Sequence, residues 1–131
     1  MINGGNITVE NFGDDFFEII DMLKNDKCYC VLERVHAMPG QGVTSMFNMG
    51  ENYGFIQGFL SANKIPFELI TPQKWKREYG VTADKNTSIA VCQRLFPNVD
   101  LRRNPKCRVA HDGKAEALLI AEYGRRHYKG E

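Results

Sequence analysis

The sequence predicts an α/β domain in which parallel strands are flanked by helices. Two short apolar runs and the helical stretch between them predict it. The run Cys28-Tyr29-Cys30-Val31-Leu32-Glu33-Arg34-Val35-His36 is apolar, aromatic and β-branched, reads as a strand buried on both faces, and is ended by Pro39-Gly40. The second run, Phe67-Glu68-Leu69-Ile70, is closed by Thr71-Pro72. A strand, helix, strand order implies parallel pairing through a right-handed crossover.

At 131 residues, with 43% hydrophobic and 25% charged side chains, the chain is expected to form one domain over 1–131 with an ordinary soluble composition. No apolar run approaches a membrane span in length, and Met1-Ile2-Asn3-Gly4-Gly5 lacks the basic and apolar regions of a signal peptide. The expected location is therefore cytoplasmic. Cysteines at 28, 30, 92 and 107 agree with a reducing compartment. Strand alternation points Cys28 and Cys30 to opposite faces, a poor arrangement for zinc or a disulfide, so free thiols are expected. The net charge of +1 conceals an asymmetry: residues 1–70 hold 4 Lys/Arg against 9 Asp/Glu, and residues 71–131 hold 13 against 7. The basic half suits either a polyanion or ordinary solvated helix faces.

Taken in order, residues 1–10 read as extended. Phe12, Phe16, Ile19, Ile20 and Leu23 then recur at helical spacing, giving a helix over about 13–25 with Asp14 and Asp15 in its first turn. A second helix is expected over about 44–63. Gly50, Gly54 and Gly58 line one of its faces, and close packing on a sheet or another backbone is their expected role. Lys64-Ile65-Pro66 turns the chain into the second strand. Pro72 opens a short helix over about 73–79 that carries Lys74, Trp75, Lys76 and Arg77, with Trp75 readable as a core anchor or as part of a nucleic-acid grip. A helix over about 87–96 turns Ile89, Cys92 and Leu95 inward and stops at Pro97. Residues 98–110 form a loop rich in Arg102, Arg103, Lys106 and Arg108, and an apolar helix over about 111–126 follows.

Three carboxylates carry the functional argument. Glu33 interrupts a buried strand, where a charge is costly unless it is ion-paired, here with Arg34, or holds a metal. Asp112 and Glu116 lie four apart on one helix face, where like charges repel and call for a cation or an arginine from another element. Asp112 equally suits a helix N-cap. If the three meet, their hard oxygens suit Mg²⁺ or Mn²⁺ and phosphodiester hydrolysis. His111 is readable as a ligand, a proton carrier, a phosphate contact or a surface histidine.

Three ordered blocks carry a family resemblance: Val31 through Asn48 with Gly50 to Gly54 after it, Ile70-Thr71-Pro72-Gln73-Lys74-Trp75-Lys76, and His111-Asp112-Gly113-Lys114-Ala115-Glu116 continuing to Arg126. Together they closely resemble phage and bacterial RuvC-like Holliday-junction resolvases, over about residues 28–128. The resemblance implies an RNase H-like fold and a homodimer that cuts four-way, branched DNA symmetrically with Mg²⁺ or Mn²⁺. It implies that Glu33 corresponds to the acid on the fourth strand and that Asp112 and Glu116 correspond to the acids of the last helix, as catalytic metal ligands. His36 falls where some relatives place a phenylalanine against bases at the junction centre. Lys74, Lys76 and Lys85 fall where relatives have basic residues facing DNA, and Arg102, Arg103 and Arg125 join them as candidate DNA contacts.

The resemblance has one departure. Relatives begin with a three-stranded β-meander whose first strand carries another aspartate, and that meander is expected to be missing here. Asp14 and Asp15 precede a helix rather than end a strand. The alternatives to an active resolvase are a catalytically incomplete junction-binding remnant and one part of a split enzyme. An open sheet edge, covered by another polypeptide or a second copy, is the structural expectation.

Overall fold

The computed structural model describes residues 28–129, so the helix expected over 13–25 and the extended stretch before it lie outside the described residues. The order is β1 (Cys30–Glu33), α1 (Val43–Ala62), β2 (Phe67–Ile70), α2 (Pro72–Tyr79), α3 (Lys85–Leu95) and α4 (Asp112–His127). The class is α/β. Among the described residues the sheet has two strands, paired in parallel from Cys30↔Phe67 to Glu33↔Ile70. Backbone bonds from Cys30 N to the Pro66 carbonyl (2.9 Å) and from Arg34 N to the Ile70 carbonyl (2.7 Å) close its two ends.

The strand expected from the run 28–36 is shorter than the run because β2 offers only four residues to pair with. Nor is it buried on both faces: all four residues of β1 are half-buried. Its closest helix contact is with α4, where a methyl group added at Gly124 would stand 2.2 Å from Val31 Cγ2. A glycine does allow a helix to approach the sheet closely, and among the described residues it is Gly124. No described neighbour lies within 4 Å of a methyl built on Gly50, Gly54 or Gly58. In α1 only Leu60 is buried, and Phe47 is 69% exposed.

Turn chemistry sets the boundaries. Gly40, at φ +83°, takes the left-handed position after Pro39, and Gln41 N donates to the Met38 carbonyl at 3.3 Å. Gly80, at φ +65°, ends α2, and Val81 N reaches back to the Lys76 carbonyl at 2.9 Å. Helix α3 starts two residues before the expected position because Asp84 caps it, its side chain accepting from Asn86 N at 3.0 Å.

The core lies among β2, α2, α3 and α4. It holds Ile70, Trp75, Tyr79, Val81, Cys92, Leu101, Ala115 and Leu119. The Cys92 thiol donates to the Ala115 carbonyl at 3.1 Å and so ties α3 to α4. Burial pushes that thiol up to about 11, which makes Cys92 an inert packing group. All four cysteines are free. The loop before α4 is less irregular than its composition suggests. Arg102 and Ala110 form an antiparallel bridge, and His111 N donates to the Leu101 carbonyl at 2.7 Å. Among the described residues no helix is long and apolar enough to cross a membrane.

Candidate metal and nucleic-acid site

Two elements in contact carry the carboxylates. Glu33 is the last residue of β1, and α4 runs against β1 through the Gly124–Val31 contact, which brings the helix alongside that strand. Asp112 and Glu116 occupy the first and second turns of α4. Of the three, Glu116 is the one on which the other two act. Burial, reinforced by the charge of Glu33 and that of Asp112, pushes the Glu116 carboxyl up, and the ammonium groups of Lys76 and Lys85 oppose the rise without cancelling it.

Of the two readings of Glu33, the ion pair with Arg34 is not formed. Instead the Trp75 indole N–H donates to Glu33 Oε2 at 2.7 Å. Trp75 is 0% exposed, so of its two readings the core anchor is borne out, with a polar contact that sequence reasoning did not anticipate. The Lys76 ammonium lies 5.7 Å from the centre of the same ring. Asp112 meets Lys85 at 3.2 Å, across a pair in which the lysine is 75% and the aspartate 30% exposed. Burial would push the Asp112 carboxyl up, but the hydrogen bond and charge of Lys85 outweigh it and hold the group below its usual range.

Asp112 is not the N-cap of α4. That place belongs to His111, whose Nδ1 accepts from Lys114 N at 3.2 Å. Gly113 makes room for the ring, since a methyl there would sit 2.9 Å from His111 Cε1. His111 is thus a structural cap rather than a surface histidine.

The basic candidates divide in two. Arg102 is held by Asp100 through Nε and Nη2, at 3.0 and 2.9 Å, and the pairing draws the Asp100 carboxyl down to about 2. Arg125 is likewise held by Glu122 at 2.8 and 2.6 Å, and with Arg126 it draws that carboxyl down to about 2. Either arginine would have to leave its carboxylate to reach a phosphate. Lys74, Arg103 and His36 are exposed, and Lys76 is half-buried beside Trp75. Lys114, by contrast, is turned inward, its ammonium donating to the Arg102 carbonyl at 3.1 Å.

Among the described residues no three His, Cys, Asp or Glu side chains are gathered closely enough to share one ion. Glu33 is turned to Trp75 and Asp112 to Lys85. The donor set is nonetheless all carboxylate oxygen, and Glu116 is raised first by burial and then by the charges of Glu33 and Asp112, which Lys76 and Lys85 oppose. That chemistry fits a hard divalent cation. No protein-family model matches this sequence, and no curated protein matches it.

Proposed function

We propose that this chain is a metal-dependent endonuclease of RuvC type, RNase H-like in fold, acting as a homodimer on four-way DNA junctions. The observation that supports the reading is the raised Glu116 carboxyl of α4, lifted first by burial and then by the charges of Glu33 of β1 and of Asp112. Glu33, Asp112 and Glu116 would hold Mg²⁺ or Mn²⁺. The ion would supply an activated water and charge stabilisation for the leaving oxygen in phosphodiester hydrolysis. Trp75 keeps the Glu33 carboxylate in place, and Lys85 screens Asp112 and stands at the exposed rim, where a phosphate approaches. Lys74, Lys76 and Arg103 add positive charge along the path of the backbone.

A junction-binding form without cleavage, or one part of a split resolvase, is the second reading. It is favoured by β1, which among the described residues is paired on one edge only.

The test is cleavage of a labelled synthetic four-way junction with Mg²⁺, Mn²⁺ or EDTA, alongside Asp112→Asn. Symmetric nicking that needs metal and falls about 100-fold or more in Asp112→Asn is expected. Salt-sensitive binding without nicking would support the second reading, and neither binding nor nicking would overturn both.

A further inference from the structure

Trp75 is the one tryptophan in the chain, and it touches the site in two ways. Its ring edge donates to Glu33 at 2.7 Å, and its face lies 5.7 Å from the Lys76 ammonium. A buried indole N–H needs an acceptor, and a backbone carbonyl would serve. Here the acceptor is a carboxylate 42 residues away, at the end of the strand that pairs with Ile70 two residues before Pro72 opens α2. The bond occupies Oε2 and leaves Oε1 without a protein donor among the described residues.

We propose that Trp75 is a positioning residue for the metal site: its N–H locks the orientation of Glu33, and its ring seats Lys76 beside Glu116. The proposal rests on the reading of Glu33 as a metal ligand. The physical case is that of outer-shell donors in general. A ligating carboxylate that already has one oxygen fixed loses less rotamer freedom on meeting an ion, and removing such a partner weakens metal binding about 10- to 100-fold. Trp75 acts through Glu33 and does not itself reach substrate.

The test is the affinity of the full chain for Mn²⁺, read from the electron paramagnetic resonance of the free ion, with circular-dichroism melting as the check on folding. Trp75→Phe keeps an aromatic ring in the core and removes the donor. Replacing the indole N–H by sulfur, as in benzothienylalanine, keeps the whole ring shape if the phenylalanine variant folds poorly. Either change is expected to weaken Mn²⁺ binding about 10- to 100-fold while the chain still melts cooperatively. In a Glu33→Gln background the same change is expected to alter affinity less than about two-fold, because the residue it acts through has lost its charge.

Binding within about two-fold of wild type in the sulfur analogue overturns the assignment of Trp75. So does an equal loss with and without Glu33→Gln, which would make the effect one of packing. Wild-type Mn²⁺ binding that ignores both Glu33→Gln and Asp112→Asn overturns the metal-site reading itself, and the Trp75 assignment with it.

Discussion

The corner formed by α2, α3 and α4 and the stretch formed by β1 and α1 differ in how their apolar side chains are covered. In the corner, Trp75, Cys92 and Leu119 are fully buried and drawn from three helices. Helix α1, at 20 residues the longest element among the described residues, buries only Leu60 and leaves Phe47 largely exposed. The difference shows that the corner supplies the firm ground of the described chain. The candidate site lies on the seam, with Asp112, Glu116 and Trp75 on the corner side and Glu33 on the other.

The sharpest way to break the comparison is to cut one side chain from each region. Leu119→Ala is expected to lower stability by about 2–5 kcal/mol, because it leaves a cavity among packed neighbours. Phe47→Ala is expected to stay within about 0.5 kcal/mol of wild type. Urea unfolding of the two variants measures both, and equal losses would erase the distinction. Gly124→Ala probes the seam. Its added methyl collides with Val31, and a loss of about 1–3 kcal/mol is expected. Val31→Ala in the same chain should recover much of that loss, as thermal melts of the single and double variants would reveal; no recovery would mean that α4 meets β1 elsewhere.

The smallest expected effect concerns Glu116. Its folded-state carboxyl titrates above the unfolded value, so the protonated acid favours the fold. That contribution is fully present below the ordinary glutamate value of about 4.3 and is lost as pH rises through the raised folded value. Glu116→Gln stays neutral throughout, and in metal-free buffer it should melt above wild type at about pH 7 and together with it at about pH 3. The gain should be smaller than either packing effect. A lower melting temperature at neutral pH would show that the lysines overcompensate the carboxylates.

Much of the secondary structure was legible because turn chemistry is local. Pro66, Pro72 and Pro97 mark boundaries at or next to the observed ones, and the four residues of β2 match the expected run, whereas β1 stops at Glu33, well before the expected end at Pro39-Gly40. Packing across the chain was less legible. Gly50, Gly54 and Gly58 have helical regularity without a described neighbour, whereas Gly124, isolated in sequence, meets Val31. Spacing reveals which residues share a face, but not what that face touches.

The site divides along the same line. That Asp112 and Glu116 share a face was readable from their separation, whereas the effect of Glu33 on Glu116 depends on how α4 lies against β1 and was not. The Trp75–Glu33 bond, spanning 42 residues, left no local signal. The Asp100–Arg102 and Glu122–Arg125 pairs did leave one, since each sits two or three residues apart, and it marks two of the candidate phosphate contacts as already engaged. His111 took the cap from Asp112 because its ring fits over Gly113.

The brevity of β1 has a kinetic consequence. A four-residue strand that, among the described residues, is held along one edge only is expected to open at a lower free energy than the helical corner and without melting the chain. Each opening carries Glu33 away from Trp75 and α4. The proposed site is therefore assembled and dismantled on the timescale of a local fluctuation. A divalent ion or a junction bridging β1 and α4 would hold the strand down, so that engaging the substrate and completing the site become one event.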